Sequence, residues 1–188
     1  MIASLCYDPD EYYDEKEFIV TSTGNIISTS ATINNPKAVE IPAGRCIVKG
    51  GVVIRGDVCN VKLNKYTMVC ENTQLTPCKV LNNESKQSSS FSPLTIGSHS
   101  YIGKNCIIES LFVGQGCCIE DNVTLKSRSV LKDYVYVKEG SVVPEDMTLP
   151  PFAIVEGDPA TIVAMNFESY STLALSIAVS RYKNFKKT

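Results

Sequence analysis

The sequence has very little histidine and no long apolar run. His99 is its single histidine, and no segment approaches the about 18 consecutive apolar residues that a membrane span needs. The first residues are acidic, without the basic and apolar regions of a signal peptide. We therefore expect a cytoplasmic protein without a membrane span.

Neither charge nor cysteine spacing points to a nucleic-acid or metal partner. The chain has 18 Lys and Arg against 20 Asp and Glu, a formal net charge of −2, and no basic stripe, so a nucleic-acid partner is not predicted. There are eight cysteines but no CxxC motif, and Cys117 and Cys118 are adjacent, which is a poor arrangement for shared zinc ligation. Reduced structural thiols are expected, with no metal and no other cofactor.

A six-residue period runs through the second half of the chain. Each six-residue unit begins with an aliphatic residue. Six residues advance about 600° around an α-helix, so a helix could not keep these aliphatic residues on one face. A hexapeptide period is the mark of a parallel β-helix. The fifth place of most units is small or modest, and Cys106 and Cys117 both occupy it. The repeating aliphatic residues are Ile96, Ile102, Ile108, Val113, Ile119, Leu125, Leu131, Val137, Val143, Leu149 and Val155.

The same period is less regular upstream. It appears as Ile41, Ile47 and Val53 and again as Leu63, Val69 and Leu75, after one or two lead-in strands expected in residues 26–40. Three six-residue units form one triangular coil of about 18 residues, so the units predict five to six coils. Interruptions are expected at 54–62 and at 76–93, a Ser-, Asn- and Pro-rich loop.

After Ala160 the period changes to the i, i+3, i+4 spacing of an amphipathic helix of about 18 residues, with Asn166 as its N-cap. Its apolar face should pack on the flank of the β-helix. The predicted organisation is an N-terminal arm at 1–20, a β-helix at 21–164 that carries the loop 76–93, and a C-terminal helix at 165–188. The fold class is all-β, a parallel β-helix with a C-terminal α-helix.

These features resemble the left-handed β-helix proteins with hexapeptide repeats, which include γ-class carbonic anhydrases, many acyltransferases and two dynactin subunits. Within that group the chain is most similar to the dynactin subunit 5 family. The resemblance implies a left-handed coil and a non-catalytic scaffold in the dynactin pointed-end complex. The stretches that carry it are TSTGNIIS at 21–28, VVIRGDVCNVKL at 52–63, FSPLTIGSHSYIG at 91–103, SRSVLKD at 127–133 and SVVPEDMTLPPFAIVEGDPA at 141–160.

The resemblance also implies partners and a cellular role. The partners would be a dynactin subunit 6-like β-helix, the pointed-end actin-related protein, other dynactin subunits and dynein cargo adaptors. The role would be support of dynein-based microtubule transport, in the cytoplasm and on the cytoskeleton. For Arg55 and Asp57 of the IRGD motif two roles stay open, support of the coil and a subunit contact. An Arg–carboxylate pair is bidentate and directional, which suits holding register at such a contact.

An enzyme is the alternative that the same resemblance leaves open, either a hexapeptide-repeat acyltransferase or a γ-carbonic-anhydrase-like protein. The positions that match the zinc-binding histidines of the latter hold Thr76, Lys104 and Glu109, which make a poor zinc site. An acyltransferase needs a general base. His99 is the only histidine available for this, and it is expected at a corner that faces solvent.

Overall fold

The computed structural model describes residues 10–42, 44–80 and 90–188. Two short strands precede the solenoid, β1 (Glu11–Tyr13) and β2 (Phe18–Val20). The first coil contains β3 (Ile26–Ser28), β4 (Thr32–Asn34) and β5 (Val39–Glu40), with a 3-10 turn at Pro36–Ala38. The second contains β6 (Ile47–Val48), β7 (Val53–Arg55) and β8 (Val61–Leu63). The third contains β9 (Met68–Val69) and β10 (Gln74–Leu75), then a hairpin of β11 (Lys79–Val80) and β12 (Ser90–Phe91), then β13 (Leu94–Ile96).

The remaining coils are more regular. The fourth contains β14 (Tyr101–Ile102), β15 (Ile107–Ile108) and β16 (Phe112–Val113). The fifth contains β17 (Cys118–Ile119), β18 (Thr124–Leu125) and β19 (Val130–Leu131). The sixth contains β20 (Tyr136–Val137), β21 (Val142–Val143) and β22 (Thr148–Leu149). The chain ends with β23 (Ala153–Gly157), β24 (Ala160–Met165), helix α1 (Tyr170–Asn184) and β25 (Phe185–Lys187).

Parallel pairing of successive coils forms three sheets, one for each face of a triangular prism. The helix face contains β3, β6, β9, β14, β17 and β20, extended at its ends by β2, β23 and β24. The Arg55 face contains β4, β7, β10, β15, β18 and β21, and the third face contains β5, β8, β13, β16, β19 and β22. Six strands on a face mean six coils, which confirms the predicted five to six and the predicted fold class.

The interior is the stack of residues that the hexapeptide period predicts. Every repeating aliphatic from Ile96 to Val155 is fully buried. The fifth places Ser100, Cys106 and Cys117 are buried beside them. Their donors are satisfied by corner carbonyls, since Ser100 Oγ donates to Gly114 O at 2.8 Å and Cys106 Sγ to Glu120 O at 3.1 Å. At these places a small polar side chain fills the corner and bonds its backbone, whereas the buried Ser129 Oγ, at a later fifth place, has no hydrogen-bond partner among the described residues.

Upstream, Leu63, Val69 and Leu75 lie in the core as predicted, but the register of the preceding coil differs from the prediction by one residue. Val48 and Ile54 point into the core, whereas the predicted repeat positions were Ile47 and Val53. Ile47 is also buried, but in a second cluster on the outside of the helix face. Residues 26–40 form a full coil rather than lead-in strands.

Helix α1 confirms the predicted C-terminal helix but begins later. Ser169 is its N-cap, not Asn166, because residues 160–165 are occupied by β24, which pairs antiparallel with β23. Tyr170, Ala174 and Ala178 are the buried residues of α1. None of the described helices is long and apolar enough to cross a membrane.

The two ends of the described chain meet beside α1. Strand β1 pairs in parallel with β25, so Glu11 lies opposite Phe185. The rings of Tyr13 and Phe185 stack at 4.8 Å, and Phe18 meets both rings edge-on. These aromatic rings close a cluster with Ile26, Ile47 and Met68 of the helix face. The termini and the helix therefore stabilise the same face.

Candidate interaction surfaces

The helix face carries large outward side chains that the rest of the chain covers. Its strands are in register, so the outward residues form one row: Ile26, Ile47, Met68, Tyr101, Cys118 and Tyr136. Ile26, Ile47, Met68 and Cys118 are buried although they lie outside the prism. The guanidinium of Arg181, on α1, lies 4.1 Å from the centroid of the Tyr101 ring. Burial of this row gives the helix its docking energy, since apolar area removed from water stabilises by about 25 cal/mol per Å².

An ion pair between a buried lysine and a half-exposed glutamate fastens the N-terminal strand to this face. The side chain of Lys49 is only 8% exposed, and its Nζ lies 2.6 Å from Glu11 Oε1 and 3.5 Å from Glu71 Oε1. Burial alone would lower the pKa of Lys49, but the two carboxylates, Glu11 above all, leave it raised. Removing Glu11 would leave a buried ammonium with a weaker partner, so β1 is tied to the solenoid by charge as well as by packing.

The Arg55 face carries smaller outward side chains that are exposed to solvent. Val53, Thr124 and Val142 are partly exposed, and Ile107 is 41% exposed. Six strands spaced about 4.8 Å apart make this a flat strip roughly 25 Å long. Its outward row, in strand register, is Thr32, Val53, Gln74, Ile107, Thr124 and Val142.

Arg55 and Asp57 form a bidentate ion pair at the end of β7. Arg55 Nε donates to Asp57 Oδ1 at 2.8 Å and Nη2 donates to Oδ2 at 2.9 Å. The pKa of Asp57 lies below its ordinary value, chiefly because Arg55 donates to its carboxylate. Each side chain is 42% exposed. The structure thus brings the two residues together within one chain and leaves the pair open to solvent beside the Arg55 face.

The residues at the zinc-matching positions have other roles. Glu109 Oε2 accepts a hydrogen bond from Ser127 Oγ at 3.0 Å, and Lys104 Nζ lies 3.9 Å from Glu71 Oε2. Thr76 contributes its backbone N–H to the ladder with Ile108. In the described part of the chain, no three His, Cys, Asp or Glu side chains are grouped as metal ligands would be.

His99 lies at a corner as predicted, but helix α1 covers part of that corner, so the ring does not face solvent freely. It occupies a positive-φ corner (φ 62°) and is half-buried, with its ring 5.2 Å from that of Tyr66. Tyr170, Ala174 and Arg181 line the same crevice. Burial, and then the charge of Lys65, lowers the pKa of His99. Its Nδ1 is buried and has no hydrogen-bond partner among the described residues, so no carboxylate orients the ring there as a general base requires.

The cysteines in the described ranges are thiols that form no disulfide with one another; Cys6 lies outside these ranges. Burial raises the pKa of Cys46, Cys70 and Cys106 to about 11 and that of Cys117 to about 12. Raised values disfavour the thiolate, which is the nucleophile and the metal ligand. These thiols therefore act as small core side chains.

Comparison with known proteins decides the family. The sequence profile of the family described as Dynactin subunit 5 matches residues 9–188.

The chain belongs to the dynactin subunit 5 family.

Similar proteins agree with this family and with the fold. Dynactin subunit 5 from Dictyostelium discoideum is 29% identical over 104 residues, covering 55% of this chain and 50% of that protein. The mitochondrial gamma carbonic anhydrase 2 of Arabidopsis thaliana is 25% identical over 154 residues, covering 73% of this chain and 51% of that protein. The chain thus spans about half the length of these curated relatives.

Solved structures show the hexapeptide-repeat fold. A hexapeptide transferase family protein from Anaplasma phagocytophilum superposes with a TM-score of 0.65 at 17% identity, covering 89% of this chain and 96% of that one. AntD, an N-acyltransferase from Bacillus cereus, superposes with a TM-score of 0.55 at 14% identity, covering 90% and 99%. At these identities the likeness concerns the left-handed β-helix alone. Membership in the dynactin subunit 5 family thus rests on sequence, and the transferases share its architecture.

Proposed function

We propose that this chain is a non-catalytic scaffold subunit of the dynactin pointed-end complex, supporting dynein-based microtubule transport and the binding of cargo adaptors. Its place would be in the cytoplasm, on the cytoskeleton. The observation that carries the proposal is the family match over residues 9–188. A prism of six stacked coils supports it physically, because a rigid surface loses little conformational entropy when a partner binds.

The Arg55 face is the surface that we assign to a second β-helix, a dynactin subunit 6-like partner. Its row of Thr, Val and Ile side chains is flat and partly exposed. β-Branched side chains are stiff at χ1, so they lose little entropy when they are buried at a contact. Arg55 uses two N–H donors on Asp57, and a guanidinium has five. Arg55 therefore has N–H donors left for a partner, and its ion pair with Asp57 fixes the orientation of the guanidinium at the edge of this face.

We assign the remaining partners to the other surfaces. The pointed-end actin-related protein, other dynactin subunits and dynein cargo adaptors would contact the third face, the β11–β12 hairpin and the ends of the prism. Phe112 on the third face and Phe91 on the hairpin are 37% and 43% exposed, as expected of contact residues. Large partly exposed aromatic side chains are typical anchors of such contacts.

Affinity purification of the tagged chain tests this proposal. Other dynactin subunits should co-purify with the wild-type chain. Arg55→Ala should reduce recovery of the β-helix partner about tenfold, the loss of a charge-assisted contact at an interface. Lys132→Ala removes an exposed cation elsewhere on the prism and should leave recovery unchanged. Recovery of the wild-type chain without any dynactin subunit would disprove the scaffold role.

A further inference from the structure

Strand β24 leaves one edge of the helix-face sheet open. Among the described strands β24 pairs only with β23, and it is the last strand in the order of that nine-stranded sheet. It is six residues long, and every residue after Ala160 in it is exposed. The open edge of a strand presents unpaired N–H and C=O groups, onto which another extended chain can add.

The side chains of β24 are apolar as well as exposed. Ile162, Val163 and Met165 are 46%, 50% and 53% exposed, and Phe167, just beyond the strand, is 80% exposed. No charged residue interrupts Ala160–Met165. Natural edge strands are usually shortened or carry charges that prevent pairing. The opposite edge of this sheet, β2, is only three residues long and follows Lys16 and Glu17, so β24 is the less protected of the two.

The sequence that flanks β24 carries charge of one sign. From residue 139 to residue 180 there is no Lys or Arg. Lys138 pairs with Glu156, and Arg128 pairs with both Glu145 and Asp146. Asp158, two residues before the strand, and Glu168, three residues after it, are exposed carboxylates. The apolar edge therefore has a negative charge near each end.

We propose that β24 docks an extended apolar segment of a neighbouring subunit, one with Lys or Arg at both ends, which adds as the next strand of the helix-face sheet. This inference rests on the proposed scaffold function and names one of its contacts. Backbone hydrogen bonds along the edge supply affinity, and the cations at the two ends fix the register against Asp158 and Glu168. Apolar side chains of the segment cover Ile162, Val163 and Met165.

A second copy of this chain fits the edge poorly. Two β24 strands related by a two-fold axis would pair antiparallel. Such pairing would bring the Asp158 end of one strand to the Glu168 end of the other. Like charges that face each other across strands are destabilising. The chemistry of the edge thus favours a partner segment of opposite charge.

A photo-crosslinking residue at position 163 tests the inference in the assembled complex. Val163 is the substitution site because it is half exposed at the middle of the strand. The expected product joins position 163 to an extended apolar segment of another subunit with basic residues at its ends, identified by peptide mass spectrometry. A crosslink to a second copy of this chain, to a segment without basic ends, or to no other subunit overturns the proposal.

Matched variants separate this contact from the scaffold role. Val163→Lys should reduce recovery of the crosslinked subunit about tenfold, because a charge at an edge strand opposes pairing. Ile19→Lys adds the same charge to the opposite, similarly exposed edge and should have no effect. Glu168→Lys should weaken recovery about threefold and make it less sensitive to salt. Thermal unfolding should show that all three variants fold.

The two proposals fail in different ways. If the wild-type chain recovers no dynactin subunit, the scaffold function itself is wrong. If the wild-type chain and Val163→Lys recover the same subunits in equal amounts, the scaffold function stands and the strand-docking site does not.

Discussion

The helix face and the Arg55 face are two sides of one prism with the same interior and opposite exteriors. The inward residues of the second to sixth coils are fully buried aliphatics on both faces, and Ile27 and Ile33 of the first coil are partly buried. Outward, the helix face presents Ile47, Met68 and Tyr101 under α1 and the termini, whereas the Arg55 face presents partly exposed residues such as Val53 and Ile107. The difference teaches that this chain completes one face itself and leaves the other available to a partner.

The largest expected difference between the faces is in stability. Ile47→Ala should lower the free energy of unfolding by about 2–5 kcal/mol, because it leaves a cavity under the covering segments. Ile107→Ala, on the Arg55 face, should cost under about 1 kcal/mol in the isolated chain, since its side chain is already 41% exposed. Urea unfolding of both variants measures this. Equal losses would mean that the helix face is not the covered one.

The second largest expected effect is a loss of stability at alkaline pH, which arises on the covered helix face. Burial raises the pKa of Cys70 to about 11, from 9.0. Because the pKa of Cys70 is higher in the folded state than in the unfolded state, the protonated thiol contributes its full stabilisation below pH 9. This contribution to the free energy of unfolding falls by about 1.4 kcal/mol per pH unit as the pH rises from 9 to 11. Cys70→Ala should therefore flatten the stability profile between pH 9 and 11. Urea unfolding of the wild type and of Cys70→Ala at pH 8 and pH 10.5 checks this prediction. The same loss of unfolding free energy between the two pH values in both proteins would contradict it.

The smallest expected effect concerns the ion pairs of the termini. Glu11→Gln should cost about 1–2 kcal/mol, because Lys49 is left buried with only the longer contact to Glu71. Glu15→Gln removes the ion pair with Lys187, in which both side chains are more than half exposed. This substitution should lower the free energy of unfolding by at most about 0.5 kcal/mol. Thermal unfolding of the two variants compares them. A larger loss for Glu15→Gln would contradict the fastening role of Lys49.

The predictions from the sequence were more accurate in the second half of the chain than upstream. From Ile96 onward the six-residue repeat is broken only by one five-residue step, so coils and core residues were predicted correctly even where two aliphatics adjoin, as at Ile107–Ile108 and Val142–Val143. Upstream, the pairs Ile47–Val48 and Val53–Ile54 put two aliphatics side by side. One residue of each pair faces the core, and Ile47 faces the covering cluster. Only three units precede the interruption at 54–62, too few for the period to separate the two residues of a pair when both are apolar.

The remaining errors come from contacts between distant parts of the chain. His99 was expected in solvent because nothing in its own hexapeptide shows that α1, some 70 residues later, packs over that corner. The N-cap was placed at Asn166 because the apolar strand β24 was not recognised before the helix. The ion pair of Arg55 with Asp57 is local, two residues apart, and its role at a subunit contact remains a prediction.

Thiol labelling of the Arg55 face tests the central claim most directly. A cysteine introduced by Gln74→Cys lies in the outward row of that face, and Thr172→Cys provides an exposed control on helix α1, which is assigned to no partner. Peptide mass spectrometry would follow the labelling rate at each position in the free chain and in the purified assembly. The account predicts that position 74 is labelled at least about tenfold more slowly in the assembly than in the free chain. Equal labelling rates at position 74 in both states would contradict the claim that this face is completed by a partner.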